Sequence, residues 1–169
     1  MRIAFLVNAL GLFGGITVIV AHASELQHRH GFDVSLVLTS EQPSAQWRHP
    51  ALNDVTVTSL ERARSECYDV AISTWWETAF SLFELRAQRY ASFVQSLEER
   101  LYPRRAPERI AARLTLDLPV SFITEARWIV ASWPTGARTL LAAWSPMAST
   151  WRCLHRRRTS SRSSTARSA

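Results

Sequence analysis

Ile3, Ala4, Phe5, Leu6 and Val7 form an unbroken apolar run that ends at Asn8 and a set of glycines. A run this short and without alternation is the pattern of a strand buried on both faces. From Gly15 onward, Ile16, Ile19, Val20, Ala23 and Leu26 recur at the spacing of one helix face, and His28, Arg29 and His30 fill a last turn before a stop at Gly31. Val34, Ser35, Leu36, Val37 and Leu38 then make a second buried strand. A strand, a crossover helix and a second strand in one sheet almost always close right-handed with the strands parallel. Residues 1–39 therefore commit the chain to the α/β class.

The alternation continues. Short strands are expected at 55–57, 69–73, 90–94 and 120–124, with helices over 76–87 and 107–117. In the second of these helices Pro107 suits a first turn, and Ile110, Ala111 and Leu114 supply the apolar stripe. The expected architecture is a doubly wound, mostly parallel sheet. No stretch reaches the roughly 18 apolar residues of a membrane span. Met1, Arg2 and the apolar run leading to Ala21, His22 and Ala23 imitate a secretory signal, but Asn8 and the Gly14–Gly15 pair interrupt it and the sequence beyond is amphipathic. A cytoplasmic protein is the expectation. Cys67 and Cys153 lie far apart, without the short paired spacing of a zinc or redox site, and no metal site is expected.

The formal charge of +6 points toward nucleic acid or a membrane until its position is considered. Residues 1–130 carry 13 Arg against 14 acids, whereas residues 131–169 carry 7 Arg and no acid. The charge belongs to a tail. All 20 basic residues are Arg, so no Walker phosphate loop with its lysine is present, and the coding sequence is expected to be GC-rich.

Asn8, Gly11, Gly14 and Gly15 build a glycine-containing turn between the first strand and the first helix. Ligands of open α/β sheets bind beyond the carboxyl ends of the strands, where a helix N-terminus offers free N–H groups to phosphate. The alternative is that the glycines serve only the turn. A dinucleotide reading is weaker, because the spacing departs from the usual fingerprint and the nearest acid after the second strand is Glu41. A second cluster, Ser73 to Thr78, leaves a strand end: Trp75 or Trp76 could stack on a pyranose ring and Glu77 could accept a sugar hydroxyl, or one Trp belongs to the core and Glu77 faces a helix dipole. A third, Phe93 to Tyr102, presents Gln95, Glu98 and Glu99, whose charges could equally be solvated. His22, His28, His30 and His49 show no ligand pattern, and His22 reads as a surface histidine. No residue is assigned as a catalytic base.

At these residues the chain resembles the retaining glycosyltransferases of the GT-B fold. The resemblance covers residues 1–130 and rests on Arg2 to Asn8 with Gly14 and Gly15, on His30, Gly31, Phe32, Asp33 and Val34, on Ala71 to Thr78, and on Phe93, Val94 and Gln95. Phe122, Ile123, Thr124 and Glu125 look like that family's approach to its domain crossing. The resemblance implies a Rossmann-like N-terminal, acceptor-side domain, with Gly14 and Gly15 at the diphosphate of a nucleotide-sugar donor. It places Asn8, Trp75, Trp76, Glu77, Gln95 and Glu98 on the acceptor side. It implies no cofactor, a glycan or lipid-linked acceptor, no specific nucleic-acid partner, and peripheral contact with the inner face of the cytoplasmic membrane.

In that family a Pro-Asn-Gly-Ile-Asp segment opens the donor-binding second domain. The codons of Ala143 to Thr150, read from the last base of the Ala codon, force a Val and, three residues later, a Gly, and permit Leu-Val-Pro-Asn-Gly-Ile-Asp over the whole stretch. The expectation is that the reading frame changes near residues 130–133, that 131–169 is a non-homologous, disordered basic tail, and that the chain alone is inactive. Two other classes stand beside this one: a module whose Arg-rich tail grips nucleic acid or an anionic surface, and a fragment of a nicotinamide-dependent oxidoreductase.

Overall fold

The computed structural model describes residues 1–11, 14–40 and 49–133. Glu41 and the tail from residue 134 onward, including Ala143 to Thr150 whose codons permit the Pro-Asn-Gly-Ile-Asp reading, lie outside them. Six strands, all parallel, form one sheet: β1 (Arg2–Val7), β2 (Asp33–Leu38), β3 (Thr56–Ser59), β4 (Cys67–Ser73), β5 (Arg86–Val94) and β6 (Ser121–Thr124), in the order β3-β2-β1-β4-β5-β6. The helices are α1 (Gly14–His30), α2 (Leu60–Ala63), α3 (Trp76–Phe80), α4 (Pro107–Thr115) and α5 (Arg127–Ala131), with single 3-10 turns at Pro50–Asn53, Leu82–Glu84 and Glu98–Leu101. This is the doubly wound α/β fold the sequence predicts, and its strand order reverses direction between β1 and β4.

The unbroken apolar run of β1 has a simple cause: both faces of the strand are covered. Ile3, Phe5 and Val7 pack with Ile19, Val20, Ala23 and Leu26 of α1. Ala4 and Leu6 point the other way, into a second core with Leu82, Leu116, Phe122 and Ile129. The helix stripe read from the sequence is the buried face of α1. Gly31, at φ 61°, closes that helix by donating its N–H to the Gln27 carbonyl at 3.0 Å. A left-handed residue at this position strongly favours glycine.

At the amino edge of the sheet, Arg2 holds several elements together. Its backbone N–H donates to Asp69 Oδ2 at 2.8 Å, its Nε to Asp33 Oδ2 at 2.9 Å and its Nη1 to the Cys67 carbonyl at 3.1 Å. The guanidinium also pairs with Glu66 and lies 5.3 Å from the Tyr68 ring centroid. These groups are partly solvated, so the individual pairs are weak.

Three expectations need correction. The helix proposed over 76–87 stops at Phe80, and β5 begins at Arg86 rather than at residue 90. The polar first half of β5 is a strand because Arg86, Ala87, Arg89 and Tyr90 pair with Cys67, Tyr68, Val70 and Ala71 of β4, a partnership invisible to local periodicity. In α4 the stripe is inverted: Ala112 and Thr115 face the core, while Ile110 and Leu114 point outward. Trp133 packs edge-on against Phe122, with centroids 4.9 Å apart.

Candidate functional site

A cleft of about 600 Å³ opens at the carboxyl edge of the sheet, where the strand order reverses. Each central strand contributes to its wall. Asn8 follows β1, Gly14 and Gly15 begin α1, Thr74 and Trp75 follow β4, Gln95 and Ser96 follow β5, and Glu125 follows β6. Ile16, Val18 and Ile19 of α1 make one side apolar.

Asn8 ties three loops together. Its Nδ2 donates to Glu77 Oε2 at 2.7 Å, its side-chain carbonyl faces Thr39 Oγ1 at 3.4 Å, and its backbone carbonyl accepts from Ser40. Gly14 has open space where a side chain would stand. A Cβ on Gly15 would fall 2.6 Å from Gln95 Oε1, and the Gln95 amide donates to the Gly15 carbonyl at 3.3 Å. The contact a side chain at position 15 would meet is the end of Gln95 across the cleft, and no unusual backbone angle demands glycine there. Gly15→Ala should therefore leave thermal stability within about 1 kcal/mol of the parent, since the far end of Gln95 can swing aside and alanine favours helix. It should displace the Gln95 side-chain amide, read as a shift of its resonances in a ¹⁵N–¹H spectrum.

Thr78 fixes the β4 loop. Its buried hydroxyl accepts the backbone N–H of Thr74 and of Trp75, each at 3.1 Å, and donates to the Trp75 carbonyl at 2.7 Å. Thr74 Oγ1 reaches back to the Leu6 carbonyl at 2.7 Å, which pins this loop to β1.

Behind Trp75 lies a second polar group. Glu98 Oε2 accepts the Trp76 backbone N–H at 2.6 Å, and the Trp76 indole N–H donates to the Tyr102 hydroxyl at 3.0 Å. Burial pushes the Glu98 carboxyl up to about 8; the Trp76 N–H acts in the opposite sense, while Glu99 and Glu77 add to the rise. Glu98 is thus held against the start of α3 by its bond from the Trp76 N–H. Glu98 and Trp76 share a narrow recess with Ser92 and Thr115 rather than the main cleft.

The sequence-level candidates therefore divide. Asn8, Gly14, Gly15, Trp75 and Gln95 line the cleft; Glu77 joins it through Asn8; Trp76 and Glu98 stand behind it. Neither Trp75 nor Trp76 is fully buried, so neither is a plain core residue. His22 is not a surface residue. Only 15% of its side chain is exposed, with Nε2 3.2 Å from Glu125 Oε1 and the ring edge-on to Phe93 at 5.3 Å. Sequence reasoning did not join His22 to Glu125, which stand 103 residues apart. Among the described residues no cluster of His, Cys, Asp or Glu could hold a metal ion, and no helix is long and apolar enough to cross a membrane.

No family model matches the chain, and no curated protein matches it by sequence. Its fold does have counterparts among solved structures. One of sucrose-phosphate synthase from Thermosynechococcus elongatus superposes with a TM-score of 0.56 at 11% identity, covering 94% of this chain and 96% of the other. A second structure of the same enzyme gives 0.53 at 12% identity, covering 83% of this chain and 47% of the other, so the chain spans about half of that longer protein. The chain thus shares its Rossmann-like α/β fold with a domain of that enzyme.

Proposed function

We propose that this chain is the acceptor-side domain of a retaining glycosyltransferase that moves a sugar from a nucleotide-diphosphate donor to a glycan or lipid-linked acceptor. One observation carries the reading: an open cleft at the switch point of a GT-B-type sheet, with the N-terminus of α1 and the Gly14–Gly15 pair on its wall. Free N–H groups at that helix end suit a diphosphate. Asn8, Trp75, Glu77 and Gln95 offer a stacking ring and hydrogen-bonding groups to an acceptor, while Trp76 and Glu98 brace Trp75 from behind. In this reading the enzyme works on the cytoplasmic side, at the inner face of the membrane.

Residues 1–130 form half of a two-sided site, with the frame change placed near 130–133. Half a cleft neither positions the diphosphate nor excludes water from the reacting carbon. The 169-residue chain should therefore show no release of nucleoside diphosphate from a panel of nucleotide sugars. The gene read past codon 120 should continue, in another frame, through Pro-Asn-Gly-Ile-Asp into a second α/β domain, and the restored chain should turn over a nucleotide sugar. Turnover by the 169-residue chain unaided, or a restored chain that binds no nucleotide sugar, defeats the proposal.

A further inference from the structure

The inverted stripe of α4 leaves large aliphatic side chains in water. Ile110 and Leu114 keep 59% and 57% of their surface exposed, Leu101 in the adjoining 3-10 turn 62%, and Phe80 at the end of α3 55%. These elements pack on one another, because α4 lies against both α3 and the Glu98–Leu101 turn. Behind the exposed groups, Trp76 stands edge-on between Phe80 and Tyr102, with both centroid distances 6.0 Å. Small residues inside and large ones outside is the reverse of what a helix needs merely to cover its own sheet.

The charge around these side chains is equally one-sided. Residues 100–114 hold Arg100, Arg104, Arg105, Arg109 and Arg113 against the single acid Glu108. Arg109 donates to the Tyr102 carbonyl at 3.0 Å, and none of the five is in an ion pair among the described residues. Arg100, Arg104 and Arg105 are exposed and Arg109 and Arg113 half-buried, on the same elements as the exposed aliphatic side chains.

We infer that this face, formed by Phe80, Leu101, Ile110 and Leu114 with their arginines, docks on an anionic lipid bilayer. A bilayer supplies both needs at once: acidic headgroups for the arginines and an acyl boundary for the aliphatic chains. A nucleic acid offers the charge without an apolar surface for Ile110 and Leu114, and a neutral protein groove offers the reverse. The face adjoins the cleft, since Trp76 at the start of α3 directly follows the cleft residue Trp75. The inference rests on the proposed function in choosing the lipid-linked acceptor over the free glycan. Vesicle attachment itself requires no sugar transfer, so either idea can fail alone.

The test is co-sedimentation of the full chain with vesicles of phosphatidylcholine, with and without phosphatidylglycerol, at near-physiological salt. The chain should pellet with the anionic vesicles only. Ile110→Ser combined with Leu114→Ser should weaken partitioning about tenfold or more, and Arg104→Gln combined with Arg105→Gln by a comparable factor. All four positions are exposed, so an unchanged far-UV spectrum and melting temperature should accompany both losses. Attachment through the arginines after residue 134 would leave both variants bound like the parent, and that result overturns the inference. So does failure of the parent to bind anionic vesicles, or a dimer that the serine variant dissolves, which would assign the face to a second copy of the chain.

Discussion

The protein should unfold at a lower urea concentration near about pH 9 than near about pH 5, and Glu98→Gln should remove most of that difference. The sign follows from burial. Unfolded, the Glu98 carboxyl releases its proton near 4.5; folded, it keeps it to about 8. Between those values the folded state binds more protons than the unfolded one, so stability falls as pH rises through that window and levels off above it. At about 1.4 kcal/mol per pH unit the loss has a ceiling of about 5 kcal/mol, and relaxation that admits water lowers it. The groups facing the carboxylate reinforce the direction, since Glu99 and Glu77 repel it and only the Trp76 N–H favours its charge. Glutamine keeps an acceptor for that N–H and carries no proton to lose. Equal urea midpoints for parent and variant at the alkaline end would show that the carboxylate is not held in its buried position.

The second large effect is expected at Thr78. Thr78→Val preserves shape but removes the hydroxyl that accepts two backbone N–H groups and donates to a carbonyl, the full capacity of a hydroxyl used at one turn. Two N–H groups left without acceptors should cost about 2–5 kcal/mol. The Trp75 side chain should lose its fixed setting, seen as a weaker near-ultraviolet circular dichroism band. Thr78→Ser, which restores the hydroxyl, should recover most of both. A valine variant within about 1 kcal/mol of the parent would mean that water replaces the hydroxyl and that the loop is not built on it.

The parts of the fold legible in the sequence are those in which one segment is sandwiched by the rest of the molecule. The run from Ile3 to Val7, the stripe of α1 and the run from Val34 to Leu38 all announce burial, and all but the partly buried Ile16 and Leu38 are buried. Where a segment depends on a distant partner, local pattern misleads. Arg86 and Ala87 look like the end of a helix, yet they are strand because β4 lies beside them. Ile110 and Leu114 have the spacing of a core stripe, and spacing cannot tell which side of a helix meets the sheet. The site divides along the same line. Asn8, Gly14, Gly15, Trp75 and Gln95 could be picked out because they follow strand ends, where an α/β sheet puts its cleft. The burial of Glu98 and the pairing of His22 with Glu125 are products of packing between remote elements, and no residue type or interval signals them.

The knot of bonds around Arg2 fixes more than three strand ends. It sets the first residues at the edge of the sheet opposite the cleft, with the Met1 carbonyl accepting the Asp33 backbone N–H at 3.0 Å. A peptide handle fused ahead of Met1 would thus leave from the far pole of the molecule. Protein anchored to a sensor surface through such a handle would present its cleft and the α4 face to the passing solution, giving nucleotide sugars and lipid vesicles access in a single orientation.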